Sequence, residues 1–209
     1  MKHLTGDNSI NEIITHIEGC NEKISIYAAQ KQRIDFMDAN RAYIYHLISG
    51  EIQIHRKNDD IVVLNVKAPA LLGFTAINEA KYYHYLTVVS DAKLIAIDKN
   101  EIVRILNEFN LWEHAFNIVC KVTQLYHHRD EAMSSSTVYD LVKKYLELLW
   151  EYPDEERMKI SVFEFIMSRS IISRSSINKV LKDLIGDGYI KMHRGKITFI
   201  DKSPQDSQD

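Results

Sequence analysis

The chain has 209 residues, a net charge of −3 and 45% hydrophobic residues, enough for one large or two small domains that fold without metal or disulfide staples. With 26% charged and 10% aromatic residues it does not have the composition of a disordered chain, and its near-neutral balance excludes a uniformly basic coat while leaving room for a local basic patch. Cys20 and Cys120 lie too far apart for zinc spacing or a disulfide framework, the opening Met-Lys-His-Leu-Thr has no secretory apolar core, and no apolar run is long enough to span a membrane, so a reduced, cytoplasmic chain is expected.

In chain order, Asp7 or Asn8 can cap a short helix whose Ile10, Ile13, Ile14 and Ile17 share one face, with Gly19 ending it. From residue 23 to 98 the texture changes to short β-branched and aromatic runs. Strands are expected at 23–28, 32–36, 43–56, 61–66, 82–89 and 93–97. Gly50 inside the third suggests a bend or bulge, and Lys57-Asn58-Asp59-Asp60 is turn chemistry. Strands at this spacing, without long helices between them, predict an antiparallel roll or sandwich. A short helix follows at 100–106. Then Leu111, Ala115, Ile118, Val122 and Leu125 recur at 4–3 spacing, with Arg129 beyond. This seam is the pattern of a helix lying along another helix, and it predicts a homodimer. Thr137-x-x-Asp140 opens a further helix with Val138, Leu141, Val142, Tyr145, Leu148 and Leu149 as its apolar stripe, and residues 151–156 read as a polar connector.

Residues 159–200 hold eight Lys or Arg and three acids, a +5 module on a remainder of −8, a common layout for a nucleic-acid binder. Ser161-x-x-Glu164 caps a short helix with Phe163, Ile166 and Met167 inside, and a turn follows at Ser170-Ile171-Ile172. Ser173 caps a second helix with a buried stripe of Ile177, Val180, Leu181 and Leu184, stopped by Gly186-Asp187-Gly188. Two short strands, 189–193 and 196–200, meet at Arg194-Gly195. Helix, turn, helix and hairpin make a winged helix-turn-helix. Its second helix suits a major groove, where Arg bonds guanine bidentately and Asn bonds adenine. The candidate DNA contacts are Ser173, Arg174, Ser175, Asn178, Lys179 and Lys182 on the helix, with Lys191, Arg194 and Lys196 on the wing. The plainer alternative is a basic helix pair that docks protein, which would make the chain an adaptor.

The run Ser173-Arg174-Ser175-Ser176-Ile177-Asn178-Lys179-Val180-Leu181 resembles the recognition helix of the cyclic-AMP receptor protein and fumarate-nitrate regulator (CRP/FNR) family, Ser-Arg-x-(Thr/Ser)-Val-x-Arg-x-Leu, with Ile177 for the Val and Lys179 for the Arg. The order of parts is similar from about residue 23 to 200. Val66-Lys67-Ala68-Pro69, Asn110-Leu111-Trp112-Glu113-His114-Ala115-Phe116 and Ile171-Ile172-Ser173-Arg174-Ser175 resemble an enterobacterial branch, the IprA-like (inhibitor of hydrogen peroxide resistance) regulators. The resemblance implies an α+β chain: a sensory β-roll of cyclic-nucleotide-binding type with an N-terminal helix (1–107), a dimerisation helix (108–132), a winged helix-turn-helix (133–202) and a flexible tail (203–209). It implies a transcription regulator, not an enzyme, whose partners are double-stranded DNA, a second copy and RNA polymerase, with a place in a stress response.

The roll departs from the family. Cyclic-nucleotide members carry Gly-Glu-Leu, a short helix and Arg-Ser. Here Gly73 is kept, Phe74 stands for the Glu, His84-Tyr85 falls near the Arg-Ser position, and no arginine occurs between Arg56 and Arg104. A cyclic phosphate loses its bidentate partner, so cyclic-nucleotide binding is not expected, Lys81 or His84 being the remaining substitutes. Gly73, Phe74, Tyr82 and His84 are the candidate ligand pocket, although the tyrosines suit ordinary strand packing better than a pocket lining. Two distant cysteines cannot hold an iron–sulfur cluster, and His127-His128 fits a solvated pair at a helix end better than a metal site. No cofactor or metal is expected, and Cys20 and Cys120 read as buried thiols before oxidant sensors. An enzyme on a β-roll would need clustered His-x-His and Glu ligands, and the GxSxG, HExxH and P-loop patterns are also missing.

Overall fold

A computed structural model of the chain describes residues 8–20, 22–38, 41–77, 82–134 and 137–201. Asp7, residues 78–81 with Lys81, and the expected tail 203–209 lie outside the described residues. The backbone divides into two compact units, Met1–Arg129 and Asp130–Asp209.

The first unit opens with helix α1 (Asn8–Glu18), which buries Ile10, Ile13 and Ile17 on one face. Seven strands follow: β1 (Lys23–Ala28), β2 (Arg33–Asp35), β3 (Met37–Asp38), β4 (Arg41–Arg56), β5 (Val62–Lys67), β6 (Ala70–Leu72) and β7 (His84–Asp98). Long β4 and β7 pair antiparallel along most of their length; β1 and β2 add to the far edge of β7, and β3, β5 and β6 pair with β4. Gly50 bends β4, as the interrupted alternation suggests. It sits at φ +93°, and a Cβ there would lie 2.6 Å from the Asp91 carbonyl oxygen, backbone that cannot give way. The β4–β7 register shifts around this point. Those shifts let β7 run unbroken through Ser90-Asp91-Ala92, where two strands, 82–89 and 93–97, were expected. Strands β3 and β6 are too short to show alternation and escape detection in the sequence.

Two cores sandwich the sheet. Alternate residues of β4 supply both: Tyr45, Leu47 and Ile52 face the inner core with Val66, Leu86 and Leu94, whereas Ile44 faces the outer core with Ile95 and Ile97. Against the outer core pack α1, α2 (Lys99–Glu108, with Asp98 accepting from the Asn100 N–H at 2.8 Å) and the start of α3 (Trp112–Met133). Each fully buried Ile or Leu here contributes about 1.5–3 kcal/mol relative to exposure.

Helix α3 corrects the reading of its seam. Leu111, Ala115 and Ile118 are 5%, 3% and 1% exposed and belong to the outer core of their own chain, while Val122 and Leu125 pack against the inner core. The 4–3 period reports a covered face, and the roll is what covers it. The boundary between the two units falls inside α3, after Arg129.

The second unit comprises α4 (Val138–Trp150), α5 (Asp154–Arg157), α6 (Val162–Met167), α7 (Arg174–Gly186), β8 (Ile190–His193) and β9 (Lys196–Ile200). The segment read as a polar connector contains α5. Its Arg157 is buried, donates to the carbonyls of Trp150 (3.2 Å) and Tyr152 (3.0 Å) and lies 3.8 Å over the Trp150 ring, locking the chain reversal after α4. In six-residue α6 the buried set is Val162, Phe165 and Ile166, the i, i+3, i+4 stripe, and Met167 is exposed. Val138, at the first turn of α4, is likewise exposed.

Candidate nucleic-acid interface and ligand cavity

The second unit builds a platform for α7. Ile177, Val180, Leu181 and Leu184 are all buried against Val142, Tyr145, Leu146 and Leu149 of α4, Val162, Phe165 and Ile166 of α6, and Ile190, Ile197 and Ile200 of the hairpin. The Tyr145 hydroxyl donates to the Arg169 carbonyl at 2.6 Å, and the Val162 N–H donates to the Gly195 carbonyl at 3.0 Å, tying α6 to the tip of the wing. Arg194 and Gly195 turn the hairpin at φ 49° and 78°, the left-handed pair a tight two-residue turn requires.

Caps define where the helices start. Thr137 accepts from the Asp140 N–H at 3.1 Å, Ser161 from the Glu164 N–H at 3.5 Å, and Ser173 from the Ser176 N–H at 3.2 Å. The Ser173 hydroxyl also meets the hydroxyls of Ser175 and Ser176 at 2.9 Å each. Its first duty is therefore the helix end.

At about 100° per residue, Arg174, Ser175, Asn178, Lys179 and Lys182 fall in one arc of roughly 140°, opposite the buried stripe. All five are exposed. Among the described residues no carboxylate pairs with Arg174, Lys179, Lys182 or Arg194; Arg174 leans over the Phe163 ring at 5.4 Å. The surface is thus cationic and polar, with side chains available to an anion. One cation of the basic module does not join it. Arg169 is buried, donating to the Phe165 carbonyl and the Ser168 hydroxyl. On the wing, Lys191 and Arg194 are exposed, and half-buried Lys196 donates to the Lys159 carbonyl at 2.7 Å at the surface.

In the first unit, Gly73, Phe74, Tyr82 and His84 come together on one cavity of about 280 Å³. Gly73, at φ +105°, lies so close to Ile44, Phe36 and the Tyr43 carbonyl that a Cβ would sit 3.0–3.3 Å from them. Phe74 begins a single 3₁₀ turn (Phe74–Ala76) and is buried in the outer core. The cavity's other wall was not foreseen: Ile118, Val122 and Tyr126 of α3. Tyr126 falls one position past the last seam residue, the one sequence signal that could have flagged it. No Lys, Arg, Asp or Glu lines the cavity among the described residues. The Tyr82 hydroxyl is buried without a hydrogen-bond partner. His84 lies 6.0 Å from the Tyr126 ring; burial, then Arg56 and Lys57, holds its pKa below the usual histidine value. Those two cations pair elsewhere, Arg56 with Asp59 and Lys57 with Asp35. Tyr85 faces away, stacked on His55 at 4.9 Å with the Arg33 guanidinium 3.8 Å from its ring centre.

The cysteines separate. Cys20 is buried and donates to Glu101 at 3.2 Å; burial first, then the carboxylate, pushes its thiol up, away from the reactive thiolate. Glu101 is held down to about 2 by its hydrogen bonds from Arg104. Cys120 is half-buried on α3. No group of acidic, histidine and cysteine side chains could hold a metal, and no helix is long and apolar enough to cross a membrane, among the described residues.

Comparison with known proteins agrees with this geometry. Residues 138–205 match the family model for winged helix-turn-helix DNA binding. The chain is 25% identical over 185 residues to the inhibitor of hydrogen peroxide resistance of Salmonella typhimurium, covering 86% of this chain and 87% of the relative. Among solved structures, the c-di-GMP-responsive regulator CLP of Xanthomonas campestris superposes with a TM-score of 0.74 at 14% identity, over 92% of this chain and all (100%) of that one. A CRP/FNR-family regulator of Eubacterium rectale gives a TM-score of 0.68 at 15% identity, over 94% of this chain and 91% of that one. The fold is that of the CRP/FNR regulators, an antiparallel roll followed by a winged helix-turn-helix, and the resemblance read from the recognition helix is borne out.

Proposed function

We propose that the chain is a sequence-specific transcription regulator that binds DNA as a homodimer and does not take its signal from a cyclic nucleotide. One observation carries this: a capped helix on a fully packed platform presents Arg174, Ser175, Asn178, Lys179 and Lys182 outward with no acidic partner among the described residues. Arg174 and Asn178 have the chemistry to read guanine and adenine; Lys179, Lys182 and Arg194 suit phosphates. Ser173 contributes the helix end and its N–H groups more than its hydroxyl.

The dimer face moves with the correction to α3. Leu111, Ala115 and Ile118 are taken by the roll while Val122 and Leu125 stay half-buried, so self-association uses these two and the neighbouring stripe. There Trp112 and Phe116 are 40% and 66% exposed, with half-buried Val119 and exposed Thr123 next along it. Exposed aromatics at that spacing support a helix pairing across a two-fold axis. RNA polymerase is the further partner this role requires. The name of the Salmonella relative supports a place in the response to hydrogen peroxide. Cys20, with its thiol pushed up, is poorly suited to sense the oxidant itself.

Selection of duplexes from a random pool by the purified full chain tests the reading. It should enrich a two-fold symmetric site with half-sites about 10 base pairs apart, or a multiple of one helical turn. Binding that is indifferent to duplex sequence, or insensitive to salt, would make the basic helix a protein-docking surface and the chain an adaptor.

A further inference from the structure

The turn that leads into α7 carries two isoleucines, and the packing of the unit accounts for one of them. Ile172 stands just before the Ser173 cap and is half-buried against the cluster that holds Ile177. Those are the two positions of a hydrophobic staple, which sets the angle at which a chain enters a helix. Ile171 is 87% exposed, the highest value for any large hydrophobic side chain among the described residues. It does not sit on a loose loop. On one side the Ser170 hydroxyl donates to the Ile166 carbonyl at 2.9 Å, and the Tyr145 hydroxyl donates to the Arg169 carbonyl at 2.6 Å. On the other, the Ser173 hydroxyl accepts from the Ser176 N–H at 3.2 Å and its carbonyl accepts from the Ile177 N–H at 3.0 Å. A branched hydrocarbon side chain is therefore held in water at the N-terminal end of α7.

Its neighbours decide what it can meet. The DNA-facing surface begins at the same helix end, where Ser173, Arg174 and Ser175 are exposed, and the N-terminal residues of a recognition helix are the ones that approach base edges. Those edges present donors, acceptors and one carbon group, the C5 methyl of thymine. A side chain with no donor or acceptor has nothing to offer a phosphate, and burial against a methyl group is the contact its chemistry rewards. We propose, resting on the DNA-binding reading of α7, that Ile171 is a specificity-determining residue that packs on the C5 methyl of a thymine beside the base pair read by Arg174. Arginine suits guanine and asparagine suits adenine. Ile171 adds a preference for thymine over cytosine, which lacks the methyl.

The test uses the full chain and the duplex it selects from a random pool, with thymine replaced by deoxyuridine at one position of both half-sites at a time. Deoxyuridine pairs as thymine does and lacks only the methyl. A position beside the one sensed by Arg174→Ala should lose about tenfold in affinity, from one buried methyl in each half-site. Ile171→Ala should bind the thymine and deoxyuridine duplexes within about twofold of each other, and Ile171→Val should keep part of the preference. Both variants should melt as the wild type does, because the side chain is in solvent, and keep its salt slope, because no phosphate contact is lost. The proposal is overturned if no thymine is sensitive to loss of its methyl, or if the sensitivity survives Ile171→Ala. It is also overturned if Ile171→Ala weakens selected and scrambled duplexes equally, the mark of packing on the sugar–phosphate backbone, or alters no DNA affinity, the mark of a protein contact. Arg174→Ala separates this proposal from the reading it rests on. If that variant loses selectivity while thymine and deoxyuridine bind alike, α7 still reads DNA and only the methyl contact is wrong. A wild type that selects no duplex removes both.

Discussion

The exposed face of α7 and the cavity of the roll are opposites. On α7 an apolar stripe is spent inward so that cations and amides stand in solvent without acidic partners among the described residues. In the roll the charged groups pair with one another, Arg33 and Lys57 on Asp35 and Arg56 on Asp59, and no Lys, Arg, Asp or Glu lines the cavity among the described residues. The first surface attracts a polyanion from a distance, and the second repels any anion that would have to shed its water. The roll keeps the fold while Phe74 stands where cyclic-nucleotide members carry a glutamate and no arginine lies between Arg56 and Arg104.

The largest effects should separate covered from uncovered faces of α3. Ile118→Asp places a charge in the outer core and should destabilise the first unit by more than about 4 kcal/mol. Phe116→Asp, two positions away on the open side, should shift stability by no more than about 0.5 kcal/mol yet dissociate the dimer. Thermal melts and sedimentation velocity of both variants read the two quantities; equal melting loss would mean the seam is not where the roll packs.

A smaller contrast lies between two tyrosines. Tyr145 donates to the Arg169 carbonyl at 2.6 Å, so Tyr145→Phe strips a buried carbonyl of its partner and should cost about 1–3 kcal/mol in urea unfolding. Tyr82→Phe removes a hydroxyl that bonds nothing, and should leave the stability of the empty protein unchanged or higher.

Histidine burial adds a pH dependence to the first unit. His84 is pushed down by burial, then by Arg56 and Lys57; His46 is pushed down by burial, with Glu18 opposing. The unfolded chain takes up protons near the ordinary value of 6.5 while the folded chain resists. Stability is therefore complete above that pH and is lost as the pH falls toward the lower folded values. Urea midpoints at successive pH values should fall below 6.5 in the wild type and fall less in a His46→Leu, His84→Leu variant.

The winged module was legible because its signals are local. Ser161 and Ser173 cap the helices they announce, four apolar positions at 3–1–3 spacing define the α7 stripe, and Arg194-Gly195 makes the hairpin turn. Four cavity residues were also legible, through the departure from a phosphate-binding pattern. The rest of the cavity was not, because Phe36, Ile54, Leu64 and Tyr126 meet only through long-range pairing of β4, β5 and α3 with the sheet. Periodicity says that a face is covered and is silent on what covers it, which is why the α3 seam read equally well as a partner's contact. Burial of Arg169 shows the same limit: counting charges gives the sign of a module but not which charges reach its surface.

The account's central claim, that α7 reads bases while the wing only holds phosphate, is tested most directly by titrating Arg174→Ala and Arg194→Ala against a selected duplex and a scrambled one at two salt concentrations. Arg174→Ala should lose roughly 1–3 kcal/mol on the selected duplex and little on the scrambled one. Arg194→Ala should weaken both alike and lower the salt slope by about one. If Arg174→Ala binds both duplexes as the wild type does, the exposed face of α7 is not a reader and the claim is contradicted.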